Sequence, residues 1–268
     1  MRGRVLIVAG SDSGGGAGIQ ADIKTVTALG GYAATAVTAL TAQDTLGVHG
    51  VHPVPPDFIA RQMSLVLADI GADAVKTGML GDAAVIGAVA DVLESDARGI
   101  PLVLDPVMVA KGGARLIGED AVGALIARLL PIAFVVTPNV PEAEALTGRT
   151  IKGPDDMEAA GHDLVAKGAR AALVKGGHLE GPEVVDVLVE TAGVRRFSGA
   201  RIDSRSTHGT GCTLASAIAC SLAQGKPLAA AVGRARAYVR VAIKTAPGFG
   251  KGHGPLNHGH TIAPFPGR

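Results

Sequence analysis

The chain has 268 residues, a formal net charge of +1, 47% apolar residues, 3% aromatics and no Trp. Near-neutrality and the shortage of stacking rings remove the footprint of a nucleic-acid binder, and no apolar run reaches the ~18 residues of a membrane span. The length fits one large α/β domain over 1–268, and 38 glycines, about twice the usual ~7% share, point to many tight strand-to-helix turns.

The N-terminal M-R-G-R-V-L-I-V-A-G holds only a short apolar run, so a soluble, unexported, cytoplasmic protein is expected. Residues 5–9 read as a strand buried on both faces, 11–18 as a glycine-rich turn and 19–29 as a helix closed by Gly30 and Gly31. Gly16, Gly18 and Ala21 match the G-x-G-x-x-A dinucleotide fingerprint, with Asp44 following at about twenty residues, so an oxidoreductase stays open on these residues alone. The P-loop pattern is absent. Residues 33–42 form a second strand. Gln43 at its end can present a donor beside an acceptor, the match for an aminopyrimidine edge, or can be a plain turn residue. A short strand over 48–54, a helix over 57–69 and a strand over 74–77 follow, and Asp82 can cap a helix running to Glu94.

Residues 102–104 are an apolar strand with Asp105 at its carboxyl end, the edge that holds ligands in open α/β sheets, which makes Asp105 a metal or phosphate-side candidate. The run M-V-A-K-G-G-A-R at 108–115 is either a flap over an anionic substrate or a surface loop. A helix over 119–130 is stopped by Pro131, and a strand covers 134–136. Pro141 then opens a helix with Glu142 in its first turn, where the dipole favours an acid; Asn139 and Glu142 also suit Mg²⁺ held through water. A helix over 156–167 precedes a strand over 171–174 that ends at Lys175, a cation costly there unless an anion faces it.

Residues 184–189 and 194–202 read as a hairpin. A helix over 227–244 carries Arg234, Arg236 and Arg240 as a solvated face. The tail at 250–260, with His253, His258 and His260, reads as a glycine-loosened segment beside the site rather than a metal set.

Between the hairpin and that last helix lies R-S-T-H-G-T-G-C-T-L-A-S-A-I-A-C-S-L-A-Q at 205–224, a glycine loop feeding a helix. The first amides of a helix have no partner within it, and Gly209 and Gly211 let an anion approach them, so 209–212 can cradle a phosphoryl group in transit. Cys212 sits where the helix N-terminus and the preceding His208 favour a thiolate, which makes it a candidate base that titrates low; the plainer alternative is a small buried Cys at a helix entry. Cys220 reads as core filler. Eight residues apart on one helix, the two cysteines lie ~12 Å apart along the axis, too far for a disulfide. Both are expected as free thiols in a reducing compartment.

With these segments in view, the chain resembles the hydroxymethylpyrimidine/phosphomethylpyrimidine kinases of thiamine biosynthesis, in the ribokinase-like superfamily. The resemblance runs nearly end to end. It is carried by A-G-S-D-S-G-G-G-A-G-I-Q-A-D at 9–22, T-A-L-T-A-Q at 38–43, K-T-G-M-L at 76–80, L-D-P-V-M-V-A-K at 104–111, T-P-N-V-P-E at 137–142, V-K-G-G-H at 174–178 and H-G-T-G-C-T at 208–213. It implies a three-layer α/β/α sandwich around a mainly parallel sheet, commonly dimeric, that uses ATP and Mg²⁺ to phosphorylate 4-amino-5-hydroxymethyl-2-methylpyrimidine and then its monophosphate. By matched position it implies Cys212 as base, with Gly209 and Gly211 in the anion cradle. Asp22, Gln43, Met79 and Val107 should surround the pyrimidine, Asp105 and Glu142 should organise Mg²⁺, and Asn139, Lys175 and Thr207 should face the nucleotide phosphates. Many relatives have Lys where Arg236 stands, which leaves a nucleotide contact there open. Some pyridoxal kinases of this subtype carry a second Cys where this chain has Ala110. A pyridoxal or pyridoxine kinase is the nearest alternative, and a catalytically silent sensor of a thiamine precursor is another.

Overall fold

The computed structural model describes residues 2–109, 113 and 118–263. Its strands are β1 (Arg4–Asp12), β2 (Tyr32–Gln43), β3 (Val48–Pro53), β4 (Ala74–Thr77), β5 (Leu102–Leu104), β6 (Val135–Val136), β7 (Ala171–Val174), β8 (Glu183–Glu190) and β9 (Gly193–Ala200). They form one sheet in the order β3-β2-β1-β4-β5-β6-β7-β8-β9. The six strands from β2 through β1 and β4 to β7 are parallel, and antiparallel strands close both edges. The inner strands β5, β6 and β7 are short and continuously apolar because helices cover both faces, whereas β4 carries Lys76 and Thr77 within it.

Among the described residues the helices are α1 (Gly18–Ala28), α2 (Pro56–Asp69), α3 (Ala83–Asp96), α4 (Glu119–Ala124), α5 (Val140–Thr147), α6 (Pro154–Ala166), α7 (Thr210–Ala223) and α8 (Leu228–Lys244). Side chains alternate across a strand, and β1 divides accordingly. Val5 and Ile7 pack with α1, α7 and α8, whereas Leu6 and Val8 join the core under α2, α3 and α4. The result is the three-layer α/β/α sandwich that the resemblance implies.

Local departures from the sequence reading have identifiable causes. β1 runs past the glycine expected to end it, because a bulge between Ala9 and Ser11 absorbs Gly10; a Cβ there would lie 2.7 Å from Met79 Cε. The helix expected over 119–130 opens after α4 into a π turn (Leu125–Leu129) and a 3-10 turn (Leu130–Ile132). Pro131 has no N–H to donate back, so the last regular turn cannot close over it. The caps follow local chemistry. Asp82 accepts from Val85 N at 2.9 Å, and Asn139 and Glu142 form a reciprocal capping box on α5.

Two expectations about charged segments are corrected. The arginines of α8 are not a solvated face: Arg236 Nε lies 2.7 Å from Asp186 Oδ2, Arg234 reaches Gln224 Oε1 at 2.6 Å, and Arg240 donates to the Ala200 carbonyl at 2.7 Å. They pin α8 to β8, β9 and the end of α7. The tail is not loose either. Its amides at Lys251 and Gly252 donate to Thr45 Oγ1, the His253 amide donates to the Thr45 carbonyl, and the buried His258 lies 3.0 Å from Thr213 Oγ1. Burial, helped by Lys24, pushes His258 down to about 4, so it stays neutral beside the Thr213 hydroxyl.

Candidate active site

The carboxyl ends of β1, β2, β4, β5 and β7 and the N-terminus of α7 enclose a cavity of about 1090 Å³. In an open parallel sheet this is where ligands bind, since the strands there deliver loops and unpaired backbone groups. Gln43, Met79, Val107, Asp105, Glu142, Asn139, Lys175, Thr207, Gly209, Gly211 and Cys212 all line it. Of the residues expected at the site, Asp22 alone does not.

The floor begins with α7. Gly209 takes the left-handed N-cap position at φ +79°, where a Cβ would lie 1.8 Å from the Gly16 carbonyl oxygen. No side chain caps the helix, and although the Thr210 amide donates to the Thr207 carbonyl at 3.3 Å, those of Gly211 and Cys212 stay available to an anion. A Cβ at Gly211 would stand 3.3 Å from Lys175 Nζ and 3.9 Å from Asp105 Oδ2. The cradle thus opens toward that ion pair.

Cys212 is half-buried in the first turn of α7 and is a free thiol, as is Cys220. The expectation of a low-titrating thiol is overturned. Burial pushes it up to about 11; Lys76 pulls against this, and Asp22 and Asp105 add to it. His208 gives no help, because its Nε2 lies 2.8 Å from Asp12 Oδ2 and is committed there.

Beneath Cys212 lies a buried ion pair that sequence reasoning placed only in part. Asp22 and Lys76 are both 0% exposed, with Lys76 Nζ 2.8 Å from Asp22 Oδ2. Ser216, one turn after Cys212 on α7, donates to Asp22 Oδ1 at 2.7 Å. Asp22 is therefore set behind the cavity wall; it holds Lys76, which lines the cavity. Burial works against the Lys76 charge, but Asp22, Cys212 and Asp105 more than offset it and hold the ammonium protonated. A lysine inside the apolar A-V-K-T strand was the signal available in the sequence.

Asp105, Lys175 and Glu142 form the second charged group. Lys175 Nζ donates to Asp105 Oδ1 at 3.0 Å, and Thr137 Oγ1 approaches the same oxygen at 3.2 Å. Lys175 at its strand end thus faces anions as expected: burial lowers its pKa, Asp105 and Glu142 raise it, and the balance is upward. Asp105 Oδ2 is buried without a hydrogen-bond partner. Glu142 accepts from the Asn139 amide at 2.8 Å, and its carboxyl is pushed up to about 7, first by burial, with Lys175 opposing and Asp105 adding. An orphaned carboxylate oxygen beside a second carboxyl short of counter-charge suits a hard cation that keeps part of its water, as Mg²⁺ does. No cluster of three or more acidic, His or Cys ligands exists among the described residues. Asn139 spends its side-chain oxygen on the Glu142 amide at 3.0 Å, so only the rest of that side chain can turn to a phosphate.

The first glycine loop does not serve a dinucleotide. Asp12 fills it from within, accepting the amides of Gly14 at 2.8 Å, Gly16 at 3.1 Å and Ala17 at 2.8 Å. The amides a pyrophosphate needs are taken. Asp44, the acid of that fingerprint, instead caps its own turn through the amides of Leu46 and Gly47. On the opposite wall the Gln43 amide lies 3.1 Å from Thr41 Oγ1 and 3.4 Å from His208 Nε2. Arg236 and His253 also line the cavity. Of the flap expected over 108–115, Met108, Val109 and Gly113 line the wall, whereas Ala110, Lys111 and Arg115 lie outside the described residues.

The chain matches the family model described as phosphomethylpyrimidine kinase over residues 12–257. It is 56% identical to the thiamine biosynthesis bifunctional protein ThiED of Geobacter sulfurreducens, over 96% of this chain and 52% of that protein, so it spans about half of the relative's length. With the hydroxymethylpyrimidine/phosphomethylpyrimidine kinase of Rhizobium meliloti it shares 48% identity over 95% of this chain and 96% of the other. The fold is similar to that of Bacillus subtilis pyridoxal kinase solved as an ADP complex, with TM-score 0.90, 36% identity, and coverage of 96% of this chain and 98% of that one.

Proposed function

The chain belongs to the phosphomethylpyrimidine kinase family, and from that premise we propose how its cavity performs the transfer. The protein phosphorylates 4-amino-5-hydroxymethyl-2-methylpyrimidine to the monophosphate and the monophosphate to the diphosphate, with ATP as donor. The observation that carries the reading is Cys212 in the uncapped first turn of α7, in one cavity with the Asp105, Lys175 and Glu142 group. An anion cradle, a proton acceptor and a charge-compensating group are what in-line phosphoryl transfer asks of a protein.

Gln43, Met79 and Val107 hold the pyrimidine ring, and Asn139, Lys175 and Thr207 face the nucleotide phosphates. Cys212, as thiolate, takes the proton of the 5-hydroxymethyl group while that oxygen attacks the γ-phosphorus and the bond from γ-phosphorus to the bridging oxygen breaks, with ADP as leaving group. The amides of the 209–212 turn other than that of Thr210 donate to the equatorial oxygens, and Lys175 shares their charge. Asp105 and Glu142 would hold Mg²⁺, which supplies further neutralisation of phosphate charge. In the second step the acceptor is already ionised at neutral pH, so the base is no longer needed. We read the chain as a cytoplasmic homodimer; exposed Leu40, Val51, Phe58 and Leu65 around β2, β3 and α2 support the pairing, and among the described residues no helix is long and apolar enough to cross a membrane.

The test is ADP release with the aminopyrimidine alcohol, its monophosphate and pyridoxine in parallel. Turnover of the first two and weak turnover of pyridoxine is expected. The fold similarity to pyridoxal kinase gives the rival alcohol its place in the assay, and preference for pyridoxine would reverse the substrate reading. Gln43→Leu should raise KM for the aminopyrimidine about tenfold or more, the worth of a bidentate amide contact, with KM for ATP unmoved. An unchanged pyrimidine KM would remove Gln43 from the site.

Glu142 gives a pH-dependent outcome. With its native pKa near about 7 against 4.5 ordinarily, the folded state binds a proton in that window which the unfolded chain does not. The metal-free protein therefore loses stability as pH rises toward and through 7. Mg²⁺ binds the ionised carboxyl, so its stabilisation in thermal melts should be larger at about pH 8 than at about pH 6. Glu142→Gln keeps the capping box and should flatten that difference; a flat wild-type response would take Glu142 off the ion.

A further inference from the structure

Gln43 can offer a donor and an acceptor side by side, but a given ring accepts them only one way round. Its neighbours decide which. Thr41 Oγ1 is placed to donate to the Ser11 carbonyl oxygen at 2.9 Å and to Gln43 Oε1 at 3.1 Å, but it has one proton; the shorter contact, to a backbone oxygen that cannot turn away, takes it and leaves the hydroxyl oxygen as an acceptor toward Gln43. Asp12 receives three backbone amides and is ionised: burial raises its pKa, but His208 and those amides bring it below the ordinary carboxylate range. His208 Nε2, 2.8 Å from Asp12 Oδ2, must then carry the proton between them and is a donor.

With Oε1 beside Thr41 at 3.1 Å and Nε2 beside His208 at 3.4 Å, acceptor would face acceptor and donor would face donor. A half-turn about the last side-chain bond exchanges two groups of nearly equal size: Thr41 then receives a donor, and the protonated His208 Nε2, whose N–H is given to Asp12, faces an oxygen in place of a second donor. Both neighbours demand the same turn.

We propose that Asp12 and His208 are specificity-determining positioning residues that, with Thr41, hold the Gln43 amide with its oxygen toward His208 and its NH₂ toward Thr41. The ring must then enter with an exocyclic amino donor on the His208 side and a ring-nitrogen acceptor on the Thr41 side. An aminopyrimidine carries that pair on adjacent atoms. Pyridoxine has its phenolic hydroxyl and ring nitrogen on non-adjacent atoms, so it engages one end of the amide only. The proposal rests on the reading of Gln43 as the ring's partner and adds what fixes its polarity.

The 4-oxo counterpart of the alcohol, with an exocyclic acceptor and a ring N–H, inverts the pattern and supplies the probe. Calorimetry should give wild type a preference for the amino over the oxo ring of roughly ten- to a hundredfold. His208→Leu frees the amide to turn, so the preference should fall to within about threefold, with affinity for a non-hydrolysable ATP analogue held as the sign of an intact site. Thr41→Val should lower the preference in the same sense, and it stands as the test if His208→Leu does not fold. A wild-type preference retained in the folded variants overturns the device. Gln43→Leu reports on the premise separately: wild-type affinity for both rings in that variant would sink the ring contact itself.

Discussion

Lys76→Met is expected to lower folding stability by about 3–5 kcal/mol, the usual consequence of stranding one partner of a buried ion pair. Lys76 and Asp22 are both inaccessible to solvent, and after the substitution Asp22 keeps only the Ser216 hydroxyl at 2.7 Å. One hydrogen bond does not replace an ammonium 2.8 Å away. The double variant Asp22→Asn/Lys76→Met leaves no unpaired charge and should recover most of the loss, because the pair as a whole contributes far less than either half alone. The cost in Lys76→Met should also shrink in mildly acidic solution, where the stranded carboxyl takes up a proton. Urea midpoints at unchanged m-value measure both effects. A single variant within about 1 kcal/mol of wild type would mean that water reaches Asp22 and the pair is not dry.

That buried pair marks the limit of what residue patterns tell. The parallel core was legible because strands covered on both faces are continuously apolar, and residues 74–77 and 171–174 begin and end where the strands do. The carboxyl-edge residues Gln43, Asp105 and Lys175 were legible for the same reason, since each follows or closes an apolar run at the ligand-binding edge. What stayed hidden depends on pairing between distant segments. Asp22 looks like a surface acid on α1 until Lys76 and Ser216 are brought to it from β4 and α7. Asp12 lies within a glycine run whose spacing suggests a phosphate loop, and only its own carboxylate, folded back on the amides, shows the loop to be full. The tail misled for a similar reason: Gly250 and Gly252 suggest looseness, yet Cβ atoms there would lie within 2.3 Å and 2.1 Å of Thr45 atoms, so the glycines permit close docking.

Cys212→Ser should slow the first phosphorylation by about 10²–10⁴, the range for loss of a general base, and the second by far less. The asymmetry comes from the acceptors. An alcohol must lose its proton to become a phosphate ester, whereas a phosphate monoester presents an oxygen already ionised at neutral pH. The position of the thiol adds a second discriminator. Held up to about 11 in the resting site, Cys212 is thiolate in only a small minority of molecules at neutral pH, since each pH unit below a pKa is a factor of ten. A base must be deprotonated to act, so the single-turnover rate of the first step should climb about tenfold per pH unit above neutrality until another step limits it. The second step should stay flat over the same range, and the serine variant should lose the climb in the first. Single-turnover measurements on both acceptors separate chemistry from product release. Equal losses in the two steps, or a first step insensitive to pH, would move Cys212 from proton acceptor to a wall of the cradle, where its backbone amide still receives the phosphoryl oxygens.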